Sequence, residues 1–388
     1  MSVLARRAAT SLARLRYQRP QFPPMSEVAR YFEMSEAARW YSNGGPCHEL
    51  LVMRIEERLA NGALVLPVGN CTLGLMVALA AVTQDMPVAR DLVITPSYTF
   101  AAAISAIVWT GRQPLMVDVD PGHWQLSEAA LANALDRHGA RVAAVLGTST
   151  FGCPPPQATR ERWEQLCHAA RVPLVMDSAA AFGALTEAGG ELGTQGDVEV
   201  FSFHATKPFG TGEGGLISTR SRVLRERMAR LVNFGFDDQR MVLDPLGMNA
   251  KLSELQSAVG LAVLDRFDGI LAARRTSAAH LVQALTPQGF TFQAGCERST
   301  WQSVPVLAPD AASRTAVHLQ AAADCVEVRA YFDTPLHTHP PFANYPRASD
   351  LSVTDDLAAR CLSLPMANDL SADDLARVVA ALDLGVRR

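Results

Sequence analysis

No C-x-x-C pair occurs among the seven cysteines of this 388-residue chain, and their number is odd and their spacing irregular. That excludes a disulfide framework and a zinc ribbon as organising devices, and reduced thiols fit a cytoplasmic protein. Long apolar runs are also missing. The most continuous, Leu73 to Val82, falls well short of the ~20 residues that span a bilayer, so no membrane segment is expected. Charge of one sign is nowhere concentrated in the body of the chain. With a formal net charge of −4, there is no electrostatic footprint for nucleic acid.

What is present describes a globular protein. Apolar residues make up 48% and charged residues 19%, and the length corresponds to two or three average domains. Residues 1–26 carry Arg6, Arg7, Arg14, Arg16 and Arg19 with no acidic residue. A transit peptide and a basic tail both fit that composition, and the interrupted apolar residues argue against a secretory signal. We read 1–18 as a basic tail.

From about residue 46, helical and strand-like periods alternate. Glu49–Leu59, Leu73–Val82, Glu128–Asp136 and Arg160–Ala170 read as helices. Leu92–Thr95, Pro114–Val119, Val142–Leu146, Pro173–Met176, Val198–Phe203 and Gly215–Thr219 read as strands. This rhythm predicts an α/β fold, a mostly parallel, doubly wound sheet with helices on both faces. One long helix is expected from Leu252 to Leu271 or beyond. The pattern divides into a large domain over 19–262 and a smaller C-terminal α/β domain over 263–388.

Chemistry concentrates between Val198 and Gly215. Lys207 follows an apolar strand and precedes Pro208, which disfavours helix at the lysine and leaves its amine on an irregular segment at a strand end, where α/β folds keep their sites. Ser202 and His204 stand close by. Such an amine can form a Schiff base with an aldehyde cofactor, although most lysines are solvated charges. Gly210, Gly212 and Gly215 mimic a dinucleotide fingerprint, but a strand, not a helix, should follow them.

Two further segments suit the same cofactor. Asn70-Cys71-Thr72 stands immediately before a helix, where backbone amides and the Thr72 hydroxyl can cradle a phosphate; an ordinary N-cap is the plainer reading. Asp177 ends the apolar strand Val172–Met176, as a ligand-binding acid or as a turn cap. A lysine for the imine, an acid for the pyridine nitrogen and a phosphate cradle are what pyridoxal 5′-phosphate (PLP) requires.

With these segments the chain resembles the DegT-type nucleotide-sugar aminotransferases of fold type I. The resemblance runs from about Arg19 onward. It rests on Asn43-Gly44-Gly45-Pro46, Asn70-Cys71-Thr72, Pro96-Ser97-Tyr98-Thr99-Phe100, Val117-Asp118-Val119-Asp120, Asp177 to Gly183, the stretch from Ser202 to Gly215, Gly247 to Gln256, and Pro335-Leu336-His337. It implies Lys207 as the Schiff-base lysine and proton carrier, and Asp177 as partner of the pyridinium. Cys71, Thr72 and Ser202 would hold the phosphate, and Phe100 would stack on the ring. Asn249 would reach the phosphate of a second subunit in a homodimer. The implied reaction moves an amino group, from glutamate, onto a keto sugar carried by a nucleotide, in amino-sugar biosynthesis.

Two departures stand out. Cys71 replaces a usual glycine. Ala180, beside the expected cofactor, replaces a usual Gln or His and offers no side-chain hydrogen bond, and Phe182 stands where the family often has His. A PLP-dependent lyase or isomerase, or a regulatory protein on the same scaffold, is the alternative. Substrate contacts by His337, His339, Arg329 and Arg240 are left open by the sequence.

Overall fold

The computed structural model of the protein describes residues 13–383. Seven strands form the main sheet: β1 Leu64–Val68, β2 Leu92–Pro96, β3 Gln113–Val117, β4 Val142–Thr148, β5 Leu174–Asp177, β6 Val198–Ser202 and β7 Gly215–Thr219. Their order is β1-β7-β6-β5-β4-β2-β3. The five strands β2 to β6 are joined by parallel pairings, and β7 runs antiparallel to both β6 and β1. The expected mostly parallel sheet is therefore present. β1 had no counterpart among the expected strands, since its five residues contain Pro67 and adjoin a polar turn. It pairs through Leu64, Leu66 and Val68 with the opposed β7.

Both faces are covered. Val68, Val200 and Ile217 pack with the helices Cys71–Thr83 and Arg222–Val232, while Val65, Phe201 and Leu216 pack with the helices Pro46–Leu59 and Glu254–Leu264. Alternate strand residues serve opposite layers, as the pleat requires. Gly74 allows the first of these helices to approach closely, because a Cβ there would lie 2.8 Å from the Val200 side chain. The glycine decoy resolves as the composition suggested, with Gly215 opening β7.

The long helix expected from Leu252 is two helices, Glu254–Leu264 and Phe267–Leu285. The break falls at Asp265 and Arg266. Asp265 accepts hydrogen bonds from Tyr31, Arg30 and Arg54, so polar partners at the junction, invisible in the local pattern, favour an interruption. Beyond it, β8 Val304–Leu307 and β9 Cys361–Leu364 form a separate antiparallel pair. These strands share an apolar cluster with Leu281 and Leu285 of the second helix, and with Val317 and Val378. Leu15 joins that cluster, and Leu15 and Tyr17 are buried. The tail read over 1–18 is thus docked by its apolar residues from Leu15, and its first twelve residues lie outside those described.

Asp118 shows what the Val117–Asp120 motif does. Its carboxylate accepts from the Val353 amide at 2.9 Å and from the Thr354 amide and hydroxyl at 2.8 and 2.7 Å, capping the helix Ser352–Arg360 and tying it to the end of β3. Removal of the cap leaves buried donors without a partner. Asp118→Ala is expected to lower stability by about 2–3 kcal/mol, read as a reduced urea midpoint with an unchanged slope.

Candidate active site

The strand register assembles the site. Val68, Gly215 and Ser202 stand side by side across β1, β7 and β6, and Asp177 closes β5 opposite Thr148 of β4. The carboxyl ends of β4, β5 and β6 therefore meet the chain leaving β1, which turns at Asn70 into the helix Cys71–Thr83. The Asn70 side chain accepts from the Leu73 amide at 2.9 Å, the plain N-cap. This cap leaves the Cys71 and Thr72 amides without intrahelical acceptors. Gly215 is what permits the helix start to sit there, since a Cβ at that position would lie 2.8 Å from the Cys71 nitrogen.

A cavity of about 760 Å³ opens at this point, and Cys71, Thr72, Asp177, Ala180, Ser202 and Lys207 all line it. Phe100 lines it as well, with 62% of its surface exposed. Asn249 does not line the cavity of its own chain. It is exposed and bridges Asn233.

Lysine is rare in this protein: Lys207 and Lys251 are the only two. Lys251 lies over the Phe234 ring and donates to Asn233. Lys207 points into the cavity, and its Nζ donates to Gln302 Oε1 at 2.9 Å. Desolvation lowers its pKa, opposed by the charges of Cys71 and Asp177, so the amine is drawn toward its nucleophilic form. Asp177 shows the complementary effect. Burial raises its pKa to about 6, against the opposing effects of a hydrogen bond from the Ala179 amide (3.1 Å) and the positive charge of Lys207. A cationic partner placed against this carboxylate would offset that desolvation. The residues present fit PLP: a desolvated amine for its aldehyde, a buried acid for its ring nitrogen, and helix amides with a serine hydroxyl for its phosphate.

The departures acquire local reasons. Cys71 is 9% exposed and belongs to the apolar cluster beneath the helix. Ala180 is held by its backbone, its carbonyl accepting from Thr300 Oγ1 at 2.5 Å. Phe182 sits in a phenyl cluster with Phe201, Phe203, Phe209 and Phe267, with centroids 5.0 to 5.6 Å away. It packs; it does not line the cavity.

The candidates in the C-terminal part are not brought into the site. His337 is buried, bound to Ser97 through Nδ1 at 2.8 Å and 3.2 Å from Asp355. His339 meets the Thr334 carbonyl, Arg329 pairs with Glu327, and Arg240 is exposed. His204 lines the cavity but is turned to Thr206 and Glu213. Sequence reasoning missed Gln302, Tyr17 and Tyr331, and the pair Phe151 and Phe332, whose rings stack 5.6 Å apart on the cavity wall. These come from distant segments with no local motif.

Known proteins resemble the whole chain. The DegT/DnrJ/EryC1/StrS aminotransferase family model matches residues 25–383. A protein of Mycobacterium bovis is 34% identical over 380 residues, 96% of this chain and 90% of its own. The dTDP-4-amino-4,6-dideoxy-D-glucose transaminase of Shigella dysenteriae is 28% identical, over 94% of this chain and 96% of its own. Among solved structures, DesI in the presence of its TDP-sugar product superposes with a TM-score of 0.85 and 31% identity, covering 96% and 92% of the two chains. Fold and cavity define a PLP-dependent aminotransferase. The chain belongs to the DegT/DnrJ/EryC1/StrS aminotransferase family.

The Asp177 shift fixes a sign. A carboxyl with a folded pKa near 6 and an unfolded pKa of 3.8 binds more protons when folded between those values, so its contribution to stability falls as pH rises through about 4 to 6. In cofactor-free protein, Asp177→Asn should be more stable than wild type by about 3 kcal/mol at pH 7.5, with the difference closing toward pH 4. Paired urea titrations across that range check it.

Proposed function

We propose that this protein transfers an amino group from glutamate to a nucleotide-linked keto sugar, as a homodimer. The observation that carries the reading is the meeting of Lys207, Asp177, the Cys71 and Thr72 amides and Ser202 in one cavity with an aromatic outer wall. Relatives named for dTDP- and GDP-sugars support the substrate class, as does the TDP-sugar in the DesI structure.

When bound, PLP supplies an aldehyde and a ring that takes up electrons from the substrate carbon. Lys207 would hold the group through its Nζ and, as the base beside it, would carry the proton of the transfer. Asp177 would pair with the ring nitrogen and favour its protonated form. The Cys71 and Thr72 amides, with the Ser202 and Thr72 hydroxyls, would bind the phosphate, and the exposed Phe100 ring would pack against the cofactor. Backbone alone serves at Ala180. Gln302, which accepts from Lys207 Nζ, would orient the amine.

The test pairs glutamate with a panel of keto-sugar nucleotides and follows the cofactor spectrum. Lys207→Ala should lose the cofactor that borohydride otherwise fixes to the chain. Asp177→Asn should retain cofactor but slow the half-reaction with glutamate about a hundredfold in single turnovers, because the charge it stabilises develops during the reaction. A wild-type rate would show that Asp177 is structural.

Asn249 is the partner-facing part of the reading. It is exposed and lies outside its own cavity, and Phe234, Met241, Val242, Leu243 and Leu246, in the preceding segment, are exposed apolar residues. A closed two-fold interface would supply each site from both chains. Mixing inactive Lys207→Ala with an impaired Asn249→Ala protein should then restore one competent site per hybrid dimer. A fully active monomer would contradict it.

A further inference from the structure

A second buried acid lies one layer behind the cavity. Glu199 of β6 is fully buried, on the sheet face opposite Asp177, because Asp177 is in register with Val200 and side chains alternate along a strand. Its Oε1 accepts from Ser178 Oγ at 2.6 Å and from Gln195 Nε2 at 2.8 Å, and its Oε2 from the Gln195 amide at 3.0 Å. The first is the length of a hydrogen bond to a charged oxygen. Burial raises the Glu199 pKa, and the donors from Ser178, Gln195 and Gly193 oppose that shift. Ser178 Oγ in turn lies 3.0 Å from Ser149 Oγ. All four residues are buried, and of the four only Ser149 lines the cavity.

The chain of hydroxyls has a direction. A hydroxyl has one hydrogen to give. Ser178 gives its hydrogen to the Glu199 carboxylate, so toward Ser149 it only accepts, and Ser149 donates to it. Gln195 Nε2 stands 3.5 Å from Ser149 Oγ, also as a donor. Ser149 therefore faces the cavity as an acceptor, with its hydrogen turned inward.

Its position selects a partner. Ser149 follows the last residue of β4, and its amide donates to the Asp177 carbonyl at 2.9 Å. β4, β5 and β6 are neighbours in that order, so Asp177 stands between Ser149 and Ser202. In PLP the phosphate arm and the ring hydroxyl flank the aldehyde carbon on opposite sides of the axis through the ring nitrogen. With the nitrogen at Asp177 and the phosphate toward Ser202, the hydroxyl is directed to the Ser149 side. Ala180, on the turn after β5, has no polar side-chain atom to meet it.

We propose that Ser149 accepts a hydrogen bond from the ring hydroxyl of PLP, and that Glu199, acting through Ser178, is the positioning residue that holds Ser149 in that sense. The inference rests on the reading of the site given above, with Asp177 at the ring nitrogen and Ser202 at the phosphate. Glu199→Gln reverses the chain. The Gln195 amide requires an acceptor, which places the new side-chain oxygen against it and turns the new nitrogen toward Ser178. Ser178 then accepts from that nitrogen and donates to Ser149, whose hydrogen is released to the cavity. Gln195 Oε1, which has no hydrogen-bond partner among the described residues, can turn to receive the second hydrogen of the new amide.

Equilibrium dialysis of cofactor-free, full-length protein against PLP, and against PLP methylated on its ring hydroxyl, tests the proposal. The preference for PLP over the methylated form should fall about fivefold to tenfold in Glu199→Gln, the scale of one hydrogen bond, and by a similar factor in Ser149→Ala. Glu199→Gln changes no atom in the cavity, so a lower preference there does not arise from added room for the methyl group. A packing role would weaken both ligands alike, and a wild-type preference in Glu199→Gln overturns the proposal. Should that variant fail to fold, Ser178→Ala is read in its place. It frees the Ser149 hydroxyl to turn and should also lower the preference, and a wild-type value there overturns the proposal equally. If Ser202→Ala and Thr72→Ala both bind PLP as tightly as wild type, the phosphate lies elsewhere, and the reading of the site fails together with the role of Ser149.

Discussion

Burial of a carboxylate and an amine at the carboxyl end of the central strands β5 and β6 is the constraint on which the rest of this structure depends. Neither Asp177 nor Lys207 is in a comfortable environment alone: desolvation drives the acid up and the base down, and each is relieved in part by the other's charge. A fold that leaves two such groups incompletely compensated holds room for a third party that completes both. The other buried acid of these strands, Glu199, is instead matched within the protein, accepting from Ser178 and from the Gln195 side chain and amide.

The sheet's mixed direction is what makes the arrangement possible. β7 runs back between β6 and β1, so its first residue, Gly215, is held between Ser202 and Val68. The missing side chain at Gly215 then lets the helix start at Cys71 lie against it. A parallel strand in that place would enter from the far edge of the sheet. Amides, hydroxyl and lysine thus converge through register, without any of them being adjacent in sequence.

The wall facing the lysine is built from remote segments. Buried Arg274 donates to the carbonyl of Trp301 at 2.8 Å and to Asn368 at 2.7 Å, which holds the turn carrying Gln302. Trp301 and Phe151 both adopt left-handed backbone, with φ of 56° and 59°, a conformation that costs non-glycine residues energy and recurs at functional sites. Tyr17 from the N-terminal segment and Tyr331 from the C-terminal part complete the rim, their rings 6.0 Å apart.

By itself the sequence determined the layers, because alternating and 3.6-residue periods report which faces must be buried. It also singled out Lys207, Asp177 and the Asn70–Thr72 turn, which share one cavity, because local context, a proline, a strand end and a helix start, restricts the backbone there. It did not determine β1, the break at Asp265, or the docking of Leu15, since each depends on partners far along the chain: β7, the Tyr31 and Arg54 side chains, and Val326. Phe182 illustrates the limit. Beside Asp177 in sequence it read as a departure in the site, whereas four phenyl rings from other segments claim it for the core. Gln302 illustrates the converse, an unremarked amide carried to the lysine because a buried arginine positions its turn. Tertiary structure decided these cases because their free energy lies in burial and hydrogen bonding between segments, and no local propensity encodes that.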